Sequence, residues 1–102
     1  MNQFCLVGKV AKIPELKTHE TGWKTCTVTM EIERPFANQR GEFESDMIDI
    51  DVWRGAAETL VSCAKVNSWI TAKGRIQSRV REKDGRQYIN YAFVAEKIEY
   101  IH

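Results

Sequence analysis

Histidine occurs only twice in this chain, at His19 and His102, and neither has a sequence neighbour that would orient it as a base. No Cys-x-x-Cys pair, His-Glu-x-x-His signature or glycine-rich phosphate loop is present. Carboxylates do alternate through Glu42, Glu44, Asp46, Asp49 and Asp51, but solvation or pairing with a neighbouring basic strand explains them more simply than a metal cluster. Catalysis, a metal and a cofactor are therefore not expected. Cysteine is also scarce. Cys5, Cys26 and Cys63 are widely spaced and odd in number, which suits reduced thiols rather than a disulfide framework. The opening MNQFCLVGKV lacks the basic-then-apolar build of a secretory signal, and no apolar run nears the roughly 20 residues that cross a bilayer. A soluble, cytoplasmic protein with no membrane partner is expected. Low-complexity tracts and linkers are missing too, so the 102 residues read as one domain, 1–102.

Excess charge is likewise small in total: the formal net charge is +1. Its distribution is not even. Between Lys73 and Arg86 stand Lys73, Arg75, Arg79, Arg81, Lys83 and Arg86 against only Glu82 and Asp84, six bases less two acids, or +4. A local excess of that size calls for a negative partner or marks a solvated edge.

Almost every segment alternates with the period of a strand. Gln3 to Ile13 is the first, with Gly8 inside it as a candidate bulge or sharp bend. In Lys24 to Glu33, Cys26, Val28, Met30 and Ile32 share one face and threonines and glutamates the other. Pro35 to Ser45 is a loop or the tip of a long hairpin. Asp46 to Arg54 turns Ile48, Ile50 and Val52 inward and Met47, Asp49, Asp51 and Trp53 outward. Gly55 to Lys65 breaks the pattern with apolar residues at helical spacing, and Asn67 marks the exit of that short helix. Ser68 to Arg81 is the fourth strand, Asp84-Gly85 a hairpin turn, and Gln87 to Ile101 the last strand. Three strands, one helix and two strands in this order predict an all-β OB-fold, a five-stranded Greek-key barrel with its helix between strands three and four.

On that fourth strand Lys73, Arg75, Arg79 and Arg81 project from one face, about 6.6–6.8 Å apart where alternate positions are basic. This repeat suits a flexible, multiply charged strand. Trp53 lies on the polar side of its own strand, and Phe36 sits in a polar stretch between Arg34 and Arg40. Cations beside exposed aromatics are what sequence-tolerant binding of single strands requires, although aromatics at such positions also serve subunit interfaces. Trp23, after a turn, and Trp69, near a barrel end, read as structural.

The blocks LVGKV, ERPFANQRGEFESDMIDIDVWRGAAE, KGRIQSR and VAEKIEYI resemble the bacterial single-stranded DNA-binding proteins across residues 2 to 101. The resemblance implies base stacking at Phe36 and Trp53, with backbone contacts from Lys73, Arg75, Arg79 and Arg81, helped by Arg34 and Arg54. It implies single-stranded DNA as partner, in replication, recombination or repair, and a homo-oligomer, with a tetramer favoured over a dimer. Stacking and phosphate contacts alone do not separate DNA from RNA. Met47 and Arg81 stand where the family commonly carries aromatics, so the platform here is thinner and more electrostatic. The acidic tip that recruits partner proteins in the family is not part of this sequence, and no such recruitment is expected if the chain is complete. A dimeric relative resembling primosomal replication protein N, or an OB module that binds only proteins, is the alternative. A role in DNA uptake or on a mobile element is equally open.

Overall fold

Backbone pairing in the computed structural model, which describes residues 1–101, closes a barrel. The elements are β1 (Phe4–Lys12), β2 (Lys17–Thr18), β3 (Lys24–Ala37), β4 (Phe43–Trp53), α1 (Gly55–Cys63), β5 (Trp69–Lys83) and β6 (Arg86–Ile101). Sheet order is β1-β5-β6-β4-β3-β2, and an added β1–β3 pairing joins the two ends. Five strands thus form the expected OB-fold, with the helix between its third and fourth barrel strands. The two-residue β2 was not foreseen; it pairs with the start of β3 through Lys17 opposite Thr25 and Thr18 opposite Lys24. His102 lies outside the described residues.

The inward faces behave as the alternation requires. Val10, Val28, Met30, Ile50, Val52, Leu60 and Ile70 are fully buried, and α1 contributes Ala57 and Leu60 to the same cluster. Phe4 meets Phe93 edge-on at 5.4 Å, which joins β1 to β6 through the barrel interior. Cys26 is part of this core. Burial, followed by the nearby Asp51 carboxylate, pushes its thiol up to about 11. Cys5 and Cys63 are exposed. Alkylation of the folded protein near pH 8, mapped by mass spectrometry, should label Cys5 and Cys63 and spare Cys26 until the chain is unfolded. Labelling of Cys26 at the same rate as the others would mean that the barrel opens readily at β3.

Several boundaries move. β3 continues to Ala37 and β4 begins at Phe43, so of the two readings of Pro35 to Ser45 the tip of a long hairpin holds, and Asn38 Oδ1 there accepts from the Arg40 and Glu42 amides. The helix stops at Cys63. Gly8 is not a bulge; a Cβ there would collide with the Glu31 carbonyl oxygen, so glycine permits the close approach of β1 to β3. The irregularity in β1 falls at Ala11, between the Val10 and Lys12 pairings. A second one separates Lys73 opposite Lys97 from Gly74 opposite Ala95, which leaves Glu96 of β6 unpaired.

Both long hairpins run past the barrel. The Cα radius of gyration is 15.4 Å, above the roughly 13 Å of a compact domain near 100 residues. All residues from Arg81 to Asn90 are exposed. Val80 therefore shares the apolar face of β5 with Ile76 yet lies beyond the core, 62% exposed. Asp84 and Gly85 turn this hairpin with φ of 53° and 74°, the positive pair that a two-residue turn demands.

Candidate nucleic-acid interface

The outer surface of β3 and β4 is laddered by hydroxyl–carboxylate rungs. Thr27 donates to Asp51 at 3.0 Å and Thr29 to Asp49 at 2.6 Å, each between directly opposed residues. Beyond Asp51 comes β6, then β5. Arg79 reaches across β6 from β5 and donates to Asp51 Oδ2 at 2.8 Å. Under this bridge the outward side chains of β6 are small and apolar. Val94 stands opposite both Arg75 and Asp51, and Ala92 opposite Gln77; both are buried although neither belongs to the core cluster. Long polar side chains thus cover an apolar floor with their stems.

The eight residues singled out from the sequence are not equivalent. Trp53 ends β4 and is 38% exposed, on the outward face. Phe36 is 66% exposed on an irregular stretch between the Glu33 and Ala37 pairings. Trp53 and the Phe36 end of the hairpin are about 30 Å apart along β4, at ~3.3 Å per residue. Lys73 and Arg81 are exposed on β5, and Arg75 is half-buried with its guanidinium 3.4 Å from Gln77 Oε1. Among the described residues, none of Arg54, Lys73, Arg75 and Arg81 has an ion-pair partner.

Arg34 and Arg79 differ. Arg34 donates to both oxygens of Asp46 and, at 2.8 Å, to Glu44, so two carboxylates take up its charge at the stem of the β3–β4 hairpin. That hydrogen bonding holds the Asp46 carboxyl below the usual carboxylate range and raises the guanidinium. Arg79 is committed to Asp51, which offsets one of the two carboxylates beside Trp53. Arg54 has a different local role: with φ 60° it occupies the N-cap of α1, and its amide donates to the Lys24 carbonyl at 2.6 Å. Its backbone is thereby fixed next to Trp53.

Sequence reading missed part of this surface. Trp23, expected to be structural, is 39% exposed, with its ring 5.9 Å from Trp53. His19 stacks on Trp23 at 3.8 Å. Thr25 stands opposite Trp53 in the β3–β4 pairing, which sets Trp23, two residues away, beside the end of β4, and the β2–β3 pairing folds His19 onto it; the one available signal was the unusual density of His19 and Trp23 around a glycine turn. Trp69 is 46% exposed, with the Lys9 ammonium 5.4 Å from its ring centre. No His, Cys, Asp and Glu group suited to a metal ion occurs among the described residues, and no helix among them is long and apolar enough to cross a membrane.

Residues 1–101 match the model of the single-strand binding protein family. A protein of Listeria innocua named single-stranded DNA-binding protein 3 is 37% identical over 99% of this chain and 64% of its own length. A single-stranded DNA-binding protein of Bacillus cereus is 35% identical over 99% of the chain and 60% of its own length. The chain thus spans about three-fifths of the length of these relatives. Among solved structures, a deletion mutant of the single-stranded DNA-binding protein from Thermus aquaticus superposes with a TM-score of 0.83 at 20% identity, covering 100% of this chain and 51% of that one. At that identity the superposition speaks for the barrel alone. The match along residues 1–101 makes this chain a member of the single-strand binding protein family.

Proposed function

We propose that this chain binds single-stranded DNA without strong sequence preference, as one domain over residues 1–102. Bases stack on Trp53 and Phe36, and phosphates follow Lys73, Arg75 and Arg81, with Arg54 beside Trp53. Arg79 contributes mainly by offsetting Asp51, and Arg34 by fixing the hairpin stem. The observation that carries this reading is the outward, exposed indole of Trp53 on the same barrel surface as cations that no carboxylate of the described residues takes up. Duplex DNA hides its bases in the stack, whereas every unpaired base offers a face to an aromatic ring. A barrel of this kind covers roughly 4–16 nucleotides.

The protein acts as a homo-oligomer, a tetramer before a dimer, in the cytoplasm and on DNA undergoing replication, recombination or repair. Val80, Ile89 and Tyr91 support the oligomer: they are 62%, 60% and 68% exposed on one face of the projecting β5–β6 hairpin. Light scattering gives the subunit number.

Titration of intrinsic tryptophan fluorescence with oligo-dT, repeated with duplex and at raised salt, tests the function. Quenching by the single strand alone, weaker as salt rises, is expected. Trp53→Ala should weaken binding by about 1–3 kcal/mol, the worth of one stacked base. Absence of both quenching and a mobility shift would assign the exposed aromatics to protein contacts instead.

A further inference from the structure

The short β2–β3 hairpin builds a cleft that stacking at Trp53 and Phe36 does not account for. Trp23 and His19 lie nearly parallel, at 11° and 3.8 Å, and His19 Nε2 is 2.9 Å from Thr25 Oγ1. One face of the Trp23 indole is therefore covered, and the ring is braced through the imidazole to β3. Trp53 does not stack on Trp23. Its plane is tilted by 56°, so the two indoles form an open wedge. A cleft of about 260 Å³ extends from this wedge, lined by Lys17, His19, Trp23, Trp53, Asp51 and Arg79.

The shape and chemistry select among occupants. The volume is below the roughly 300–1,000 Å³ of pockets for drug-sized ligands, which suits a single small ring system. A phosphate would meet the Asp51 carboxylate. An aliphatic side chain would leave Asp51 and Arg79 facing apolar surface, a costly arrangement. An unpaired base satisfies both requirements, because its faces are apolar and its edge carries donors and acceptors together. We propose that this cleft holds one unpaired base, with Trp23 as a stacking wall additional to Trp53 and the base edge directed to the Asp51–Arg79 pair. The inference rests on the single-strand binding reading above and extends it to a residue outside the core cluster. Lys17 at the mouth supplies a cation for the adjoining phosphate; among the described residues it has no ion-pair partner. Because His19 already holds the indole, little ordering is left for the moment of binding.

Two measurements on the full chain decide it. Trp23→Ala should lower affinity for oligo-dT about tenfold, as loss of one stacked base does, with the thermal midpoint little changed. An oligo-dT strand carrying 5-iodouracil, cross-linked by long-wavelength light and mapped by mass spectrometry, should leave an adduct on Trp23 of the unmutated protein. An affinity loss without an adduct would show that Trp23 merely props Trp53, and would overturn the pocket. An adduct without an affinity loss would overturn it equally. If the intact protein binds the strand and adducts fall on Trp53 alone, the pocket fails and the binding function stands. If the intact protein does not bind oligo-dT, both fail together.

Discussion

Replacing Lys73 and Arg81 together by glutamine should make the slope of log affinity against log salt shallower by about 1.4, at roughly 0.7 for each phosphate released from a single strand. The reason lies in what the structure leaves free. Both side chains are exposed, and among the described residues neither is held by a carboxylate, so each can replace a counterion on the nucleic acid. Arg34→Gln should change the slope little, since Asp46 and Glu44 already take up that charge. Arg79→Gln should weaken binding by another route, because it exposes the Asp51 carboxylate beside Trp53 without a compensating cation. Oligo-dT titrations at several salt concentrations measure all three slopes. An unchanged slope in the Lys73 and Arg81 double variant would remove both residues from the phosphate track.

Gly74→Ala should be the most damaging small substitution in the sheet. A Cβ at Gly74 would collide with the Val94 carbonyl oxygen and come within 2.8 Å of its carbon and 2.9 Å of Ala95 Cα. These are backbone atoms of the paired strand, so no side chain can swing away. β5 and β6 would have to separate where Glu96 already interrupts their register. Overpacking of this kind costs about 1–3 kcal/mol, and each kcal/mol lowers the midpoint by about 4–8 °C in a domain near this size. A fall of roughly 4–24 °C is expected from a thermal melt. Gly55→Ala, with nothing within 4 Å of its Cβ, is the matching control and should be neutral or stabilising. An unaltered midpoint in Gly74→Ala would mean that the bulge relaxes at little cost.

The barrel was legible in the sequence because its information is local. Period-two alternation in Cys26–Ile32 and Ile48–Val52 records which face is buried, and Asp84-Gly85 records a turn that needs two positive φ values. Trp53 was readable as outward for the same reason. What the sequence hid depends on residues far apart in the chain. Pairing of the alternating carboxylates with a basic strand was readable, but not that Arg79 takes Asp51, since the two are separated by 28 residues and span an intervening strand. The stacking of His19 on Trp23 needs a two-residue strand too short to carry a periodic signal, and the meeting of Trp23 with Trp53 needs the β3–β4 register. Arg34 was read as a helper in backbone contacts because carboxylates ten and twelve residues onward fold back beside it only when the hairpin closes. A charge count along the chain sees the guanidinium but not its partner.

The single parallel contact of the barrel, among the described residues, is slight: β4 meets β6 at Ile50 opposite Phe93 and Asp51 opposite Val94. Every other barrel strand pair is longer and antiparallel. The molecule therefore has a zipper with one short run of teeth, and the Arg79–Asp51 bond lies across it like a clasp. Amides along this line should exchange with solvent sooner than those between β3 and β4, where pairing is long. The guanidinium that offsets Asp51 beside Trp53 thus also ties β4 to β5 over this short seam, so the outer surface and the closure of the barrel are mechanically joined at one side chain.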